Sequence, residues 1–346
     1  MSGNAHKQAR AHLSGQTAGN RLDMPRSRKT RTAIITLGIC CAVAIAGCTS
    51  PGPPEPATPP AAAPGPELTT TLPPPALTPT AYQEILRNVN SALAPPFDRL
   101  ATAGSPEDAR AALDQASSAA SDAAGLLDVV PPAEVLTTHR DLLAGLRQLA
   151  TDMSALRDQV ASMELCALPS ILPSVSNATG VNNLRTVRED LSSGRLGATY
   201  QWGEFLPAPT PLPERRLANG HLVDNQRRNG HGQFKVDNGA EHDAVVKLVQ
   251  SGRPIVSVYI SQGSSTTVGQ ISDGSYELYF TSGTDWDDQL KTFTRSCQFE
   301  RFDQTAEFTT TSVKGGIEYT IQSIGLKPSI DGNARTEPVP AQSFPR

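Results

Sequence analysis

Three carboxylates stand beside a tryptophan in residues 283–288, which read Gly-Thr-Asp-Trp-Asp-Asp. Carboxylate oxygens are the ligands that Ca²⁺ prefers, and an indole ring can stack on a sugar. Calcium needs about six to eight oxygens, however, and the helix–loop–helix calcium site requires Gly and Glu at offsets that are missing here. A solvated acidic turn in which Trp286 covers the edge of a β-structure fits this loose match better. Asp285, Trp286, Asp287 and Asp288 therefore form a candidate ligand loop, with the acidic turn as the favoured interpretation.

The other residues with reactive side chains form no recognisable site. His221, His231 and His242 lie ten and eleven positions apart in a polar region, whereas metal binding needs three or four converging ligands. The chain contains no Gly-x-Ser-x-Gly, Ser-x-x-Lys, His-Glu-x-x-His or phosphate-binding glycine motif. We therefore assign no catalytic residue, no metal ligand and no cofactor, and the question of enzymatic activity stays open with a preference for none.

Cys48 is the residue with the clearest predicted chemistry. Four basic side chains lie in residues 26–31, and an apolar run of 14 residues follows at 33–46. This is the pattern of a secretory signal peptide, since a membrane-spanning helix needs about 20 apolar residues. Residues 45–48 read Ile-Ala-Gly-Cys and resemble the lipobox of bacterial lipoproteins. The resemblance implies cleavage before Cys48 and a diacylglyceryl thioether on its sulfur.

These features predict a protein that is lipid-anchored on the extracytoplasmic face of the cell membrane. Residues 1–47 form the signal peptide, although Met24 is an alternative start. Residues 48–80 form a tether, because 12 of the 30 residues from 51 to 80 are proline and cannot pack into a core. At ~3.1 Å per residue this stretch can extend about 90 Å, enough to lift a folded part away from the bilayer.

Charge argues against nucleic acid as a partner. Residues 1–47 carry seven Lys or Arg against one Asp, and the whole chain has a net charge of −4, so the processed chain carries −10. Phosphate backbones are bound by clustered basic side chains, which such a chain is unsuited to supply. The partners predicted are the membrane, through the lipid, and a cell-wall polymer or an envelope protein.

Two cysteines remain after Cys40 and Cys41 are removed with the signal peptide and Cys48 takes the lipid. Cys166 and Cys297 lie 131 positions apart. An exported compartment permits a disulfide between them, which would stabilise the fold by about 4–5 kcal/mol in the chain-entropy model. Two buried free thiols are an equally acceptable interpretation.

Residues 81–196 show the periodicity of amphipathic helices. Thr80 and Gln83 fit a capping box, and Ser105-Pro106 is a strong second helix start. A long third helix carries apolar residues at helical spacing with His139 among them, for which we expect a buried side chain with a hydrogen-bond partner. Pro169 and Pro173 interrupt the pattern before a fourth, short helix. Short connections between these helices predict an antiparallel bundle.

The remaining chain predicts a β-structure. After a linker or loop at 197–232, short β-branched runs alternate with turn residues, so residues 233–327 predict an all-β sandwich and the fold class is multidomain α+β. The runs 243–249, 256–260 and 271–280, with 283–286, resemble an uncharacterised β domain of actinobacterial exported proteins. The Asp-Gly-x-Tyr step at 273–276 is similar to that of transthyretin-like and PEGA-type surface sandwiches. Residues 328–346 are polar and predict a disordered tail.

The predicted function is a non-catalytic binding or interaction role at the cell surface. The sandwich is expected to recognise the ligand through loops such as residues 281–288, and the bundle to act as a spacer or docking surface. Two alternatives are a hydrolase that acts on cell-wall polymer, and a sensor or regulatory lipoprotein that acts through its helices. The second alternative predicts an exposed apolar strip on the long helix.

Overall fold

The fold is described from a computed structural model, for residues 75–226, 228–326 and 335–346. The predicted signal peptide, Met24, Cys48 and the tether up to residue 74 lie outside these residues, as does the part of the predicted tail at 328–334. Helices occupy the first half of the described chain and mostly antiparallel strands the second, so the fold class is α+β.

Five α-helices precede the strands. Their bounds are Pro79–Ala101 (α1), Pro106–Leu126 (α2), Leu136–Ala161 (α3), Leu168–Ser176 (α4) and Thr179–Ser192 (α5). Ser105 caps α2 as predicted: its hydroxyl accepts a hydrogen bond from the Asp108 amide at 3.1 Å, and proline follows at the first helical position.

Two details of the helical prediction are wrong. The N-cap of α1 is Thr78, whose hydroxyl accepts from the Ala81 amide, because Pro79 and not Thr80 begins the helix. Proline suits the first helical position, where its missing N–H costs nothing. Pro169 and Pro173 were expected to interrupt the helical pattern before the next helix, yet both lie within α4. The buried side chains of Ile171 and Val175 outweigh the one backbone hydrogen bond that Pro173 cannot donate.

The helices pack through small residues. α2 contacts α1 and α3, and α3 contacts α5. The core-facing alanines of α2, such as Ala116 and Ala120, are fully buried and let its neighbours approach closely. A Cβ at Gly180 would lie 2.4 Å from the Leu149 backbone nitrogen, so only glycine fits there. His139 is buried and its Nδ1 lies 3.1 Å from the Tyr82 hydroxyl, which confirms the prediction for this histidine.

Twelve strands follow. Their bounds are Leu222–Asn225 (β1), Gly232–Asp237 (β2), Asp243–Gln250 (β3), Arg253–Ile260 (β4), Ser265–Ile271 (β5), Gly274–Asp287 (β6), Thr292–Phe302 (β7), Ala306–Phe308 (β8), Thr310–Val313 (β9), Gly316–Tyr319 (β10), Ile321–Gly325 (β11) and Thr336–Pro338 (β12). A seven-stranded antiparallel sheet has the order β1-β4-β3-β6-β7-β12, with β8 paired to β6. A second sheet has the order β11-β2-β5, and β9 pairs with β10.

The large sheet is covered on both faces. One face shares an apolar core with the three-stranded sheet, through side chains such as Val246, Phe280 and Phe234. The other face carries Val245, Tyr259 and Phe293, and Phe344 belongs to the same apolar cluster. Burial on both faces explains why β3 and β4 are continuous β-branched runs rather than alternating ones.

Two segments predicted to be irregular belong to the packed structure. The predicted linker at 197–232 contains β1, and its Trp202 is buried against the helical core. Residues 335–346, predicted to be disordered, instead form a segment that we call the C-terminal strap. The strap adds β12 to the edge of the large sheet and buries Phe344 on its second face. Both predictions failed because polar composition hid a few anchoring aromatic residues.

Within residues 75–226, 228–326 and 335–346, no helix is both long enough and apolar enough to cross a membrane.

Candidate functional site

The predicted ligand loop is not a loop. Asp285, Trp286 and Asp287 lie at the end of β6, and all three are buried; only Asp288, with 62% of its side chain exposed, faces solvent. Asp285 adopts a positive φ of 58°, an uncommon conformation for a residue with a side chain. The expectation of a displayed ligand loop is therefore wrong. Of the three carboxylates in the expected solvated acidic turn, only that of Asp288 faces solvent.

Arg215 forms ion pairs with both buried carboxylates. Its Nε and Nη2 donate to Asp285 Oδ1 and Oδ2 at 2.8 and 2.7 Å, and its Nη1 donates to Asp287 Oδ2 at 2.7 Å. The Arg215 amide also donates to Asp285 Oδ1 at 2.8 Å, and its carbonyl accepts from the Trp286 amide at 2.9 Å. A planar guanidinium that binds a carboxylate through two parallel bonds is a strong and directional ion pair.

The same contacts set the protonation state of the pair. Burial by itself raises the pKa of Asp285, but the hydrogen bonds from Arg215 and Thr294 outweigh it, so the pKa lies below its ordinary value. Burial also raises the pKa of Asp287, but the hydrogen bonds from the Leu290 amide and Arg215 outweigh it, so this pKa too lies below its ordinary value. Both groups are thus ionised at neutral pH, and neither is suited to act as a general acid.

This ion pair connects three parts of the chain. Thr294 on β7 donates through Oγ1 to Asp285 Oδ2 at 2.5 Å, and its hydroxyl is hydrogen-bonded to that of Ser170 on α4. Ser170 and Thr294 are both fully buried. The segment that carries Arg215, the sheet and the helices therefore meet at one carboxylate, which gives Asp285 a structural role.

A second arginine repeats the arrangement one residue later. Arg216 donates through Nε and Nη2 to Asp243 Oδ2 and Oδ1 at 2.6 and 2.5 Å. The buried Tyr259 hydroxyl and the Gln262 amide donate to the same carboxylate. Neither Arg215 nor Arg216 was predicted as a site residue; their signal in the sequence is an adjacent basic pair within the predicted linker.

Cys166 and Cys297 form a disulfide with Cα atoms 6.3 Å apart. Of the two interpretations left open by the sequence, the structure contains the paired one. Backbone hydrogen bonds flank it: the Cys166 amide donates to the Thr294 carbonyl at 3.0 Å, and the Cys297 amide donates to the Met163 carbonyl at 2.9 Å. The bond therefore ties the chain between α3 and α4 to β7.

The three loop histidines are not gathered into a site. His221 and His231 are exposed and His242 is half-buried. Among the residues that the structure describes, no group of three or more His, Cys, Asp or Glu side chains could hold a metal ion.

A lysine in the middle of the large sheet is the unexpected polar group. Lys247 lies on β3 and is fully buried, and its Nζ makes no hydrogen bond within the described part of the chain. The ammonium lies 5.4 Å from the centre of the Phe344 ring. Burial lowers the pKa of Lys247 to about 8, and the attraction of Asp224 opposes this only in part.

A groove of about 640 Å³ lies between α2 and α3, lined by Ala124, Gly125, Leu143 and other residues of the two helices. Leu136 at the start of α3 is 40% exposed, and Leu143 and Ala150 follow it at seven-residue spacing on the same side of the helix, both half-buried.

Comparisons with protein-family models, with curated proteins and with solved structures found no match to the chain.

Proposed function

We propose that the protein is a lipid-anchored lipoprotein of the bacterial cell envelope that binds another envelope component. The observation that carries the proposal is the Cys166–Cys297 disulfide between the helical part and the sheet. Structural disulfides form in oxidising, extracytoplasmic compartments and are rare in the cytosol. The basic and apolar segment before Cys48 and the proline-rich stretch after it supply the export signal, the anchor and the spacer.

The proposed architecture is an antiparallel helical bundle followed by a β-sandwich. The contacts of α2 with both α1 and α3, and of α3 with α5, support a bundle with short connections. The apolar core shared by the seven-stranded and three-stranded sheets supports a sandwich.

The contacts of the buried acidic residues favour a binding role for the protein over a catalytic one. Asp285 and Asp287 are ionised and hydrogen-bonded to Arg215, and Asp243 is occupied by Arg216 in the same way. These carboxylates hold the fold together, so the recognition surface must lie elsewhere.

The groove between α2 and α3 favours recognition through the helices, the second candidate function, in which the protein acts as a sensor or regulatory lipoprotein. Leu126, Val130 and Leu136 are more than a third exposed at the connection of the two helices. Exposed large apolar side chains are typical of protein-binding surfaces, and the groove beside them is lined by both apolar and charged side chains, among them Leu143, Asp128 and Arg147. An envelope protein that presents an apolar segment is the partner we propose for this surface.

The anchor is tested by metabolic labelling with a clickable fatty acid. The wild-type protein should incorporate the label, and Cys48→Ala should not. Cys41→Ala, which removes a thiol from the signal peptide, is the matched control and should label normally. Equal labelling of wild type and Cys48→Ala would refute the anchor.

The binding surface is tested by capture from detergent-solubilised envelope. Leu136→Glu places a charge on α3, seven residues before the groove-lining Leu143, and should abolish capture of a defined partner that the wild-type chain retains. Leu290→Glu is the control, because Leu290 is similarly exposed, at 42%, in the turn between β6 and β7. Loss of capture with Leu290→Glu and not with Leu136→Glu would assign recognition to the β part.

A further inference from the structure

One row of polar side chains crosses the large sheet beneath the C-terminal strap. Lys247 on β3 lies directly opposite Ser257 on β4 and Tyr279 on β6, and Ser257 lies opposite Asp224 on β1. Directly opposite residues of antiparallel strands project from the same face, so these side chains are neighbours. Thr281, two residues beyond Tyr279 on β6, projects from that face as well.

Three polar atoms on this face are buried without a hydrogen-bond partner among the described residues. Lys247 Nζ, Ser257 Oγ and Thr281 Oγ1 make no hydrogen bond to any described residue, and all three side chains are fully buried. Buried polar groups in native proteins are nearly always hydrogen-bonded, and exceptions at one place call for an explanation. The Lys247 ammonium and the Ser257 hydroxyl belong to directly opposite residues and can donate together to a single acceptor group, whereas Thr281 lies opposite Val245, with β3 between it and Ser257.

The charges around Lys247 define the sign of that acceptor. Asp224 on β1 is the acidic group that acts on Lys247, whereas Lys291 in the β6–β7 turn and Arg346 at the end of the strap are basic. Lys291 is itself paired with Asp288 at 2.9 Å, so Lys247 and Arg346 against Asp224 leave one positive charge on a chain that is acidic as a whole. One buried ammonium balances one negative charge, which fits a carboxylate better than a phosphate with a charge of about −1.5 to −2 at neutral pH.

The strap occupies the space that such a ligand would need. Phe344 stands over the ammonium, and its ring packs against Phe299 and Tyr279 with centroids 5.1 and 5.9 Å apart. The rest of the attachment lies at the surface: the three residues of β12 are all exposed and pair with the edge of β7, two backbone hydrogen bonds flank them, and Glu337 forms an ion pair with Arg301 in which both side chains are about half exposed. Segments with few buried contacts open most readily, so the strap can leave without unfolding the sheet.

We propose that the C-terminal strap closes a carboxylate-binding site whose donors are Lys247 and Ser257. A carboxylate ligand takes the place of Phe344 and receives hydrogen bonds from the Lys247 ammonium and the Ser257 hydroxyl. The site lies on the sheet, away from the groove between α2 and α3, and does not depend on the lipid anchor or on partner binding by the helices.

Hydrogen–deuterium exchange of residues 335–346 tests the proposal on the processed chain at pH 7. The probe is sodium acetate, compared with sodium chloride and sodium phosphate at equal ionic strength. Because acetate binds only the open state, exchange of the strap should double when the acetate concentration equals its dissociation constant and rise further above it. Lys247→Met should lose this response, and Lys235→Met, which removes an exposed lysine from β2, should keep it.

A second variant tests the proposal if the strap opens too rarely for hydrogen exchange to report acetate binding. Phe344→Ala removes the ring over Lys247 and should let an amine-reactive ester label Lys247. Acetate should then slow the labelling of Lys247 and leave that of Lys235 unchanged. The proposal is overturned if acetate and chloride act alike in both experiments, or if Lys247→Met keeps the acetate response. A response to phosphate as strong as that to acetate overturns the carboxylate assignment.

Discussion

Replacement of Lys247 by methionine should stabilise the protein. The substitution keeps a long, flexible side chain and removes a charge that is fully buried without a hydrogen-bond partner among the described residues. Exchange of a buried ionic group for an apolar one of similar size is often stabilising, because the ion loses its hydration on folding. Most core substitutions instead lower the free energy of unfolding, by about 1 kcal/mol on average.

The size of the expected stabilisation follows from the lowered pKa of Lys247. Burial lowers the pKa of Lys247 from 10.5 to about 8, a difference of roughly 2.5 units. Each unit corresponds to about 1.4 kcal/mol, so protonated Lys247 costs about 3 kcal/mol at pH 7 relative to a solvated lysine. Lys247→Met should raise the free energy of unfolding at pH 7 by up to this amount.

The pH dependence gives an independent check on the cause. Because the folded-state pKa lies below that of the unfolded chain, the unfolded chain binds more protons between about pH 8 and 10.5, and stability rises with pH in this window. About 1 kcal/mol of the penalty should be recovered between pH 7 and 9. Lys247→Met should lack this contribution, so the difference between variant and wild type should shrink as pH rises.

Chemical denaturation followed by tryptophan fluorescence measures both quantities. Trp202 lies in the helical core and Trp286 in the sheet, so the two halves of the fold are both observed. Lys235→Met, at an exposed position on β2, is the control and should change stability by no more than about 0.5 kcal/mol. A Lys247→Met protein that is less stable than wild type at pH 7, or whose advantage does not diminish towards pH 9, would contradict a buried and unpaired ammonium.

Two further predictions concern the contacts that join the halves of the fold. Asp285→Asn should lower the free energy of unfolding by about 2–3 kcal/mol, since it removes charged hydrogen bonds from a guanidinium that stays partly solvated. Asp288→Asn, at an exposed position, is the control and should change the free energy of unfolding little. Equal effects of the two substitutions would refute a structural role for Asp285. The lowered pKa of Asp285 also predicts that wild-type stability falls as pH drops below about 4, and that Asp285→Asn loses part of this dependence. The double variant Cys166→Ser, Cys297→Ser should lose about 2–5 kcal/mol in the same denaturation assay, and a reducing agent should destabilise the wild type but not the variant.

The elements with strong local signals were predictable from the sequence. Ser105-Pro106 fixes the start of α2 through a side-chain cap, and the β-branched runs of β3 and β4 report strands that are buried on both faces. β5 was missed, because Ser265–Ile271 is a weakly apolar edge strand that takes its place from pairing with β2.

The candidate sites were less predictable because they depend on distant residues. Arg215 and Asp285 are 70 positions apart, and no local pattern links them. In the run 243–249, Lys247 looks like the solvent-facing member of a strand. It is buried because the C-terminal strap covers that face, so the mistaken prediction of a disordered tail also concealed the buried lysine.

Mass spectrometry of the native polypeptide tests the proposed function most directly. The prediction is a chain that begins at Cys48, carries the mass of a diacylglyceryl group on that residue, and yields one disulfide-linked peptide pair containing Cys166 and Cys297 under non-reducing digestion. An unacylated chain that retains residues 1–47, with both cysteines reduced, would contradict export, the anchor and the compartment together.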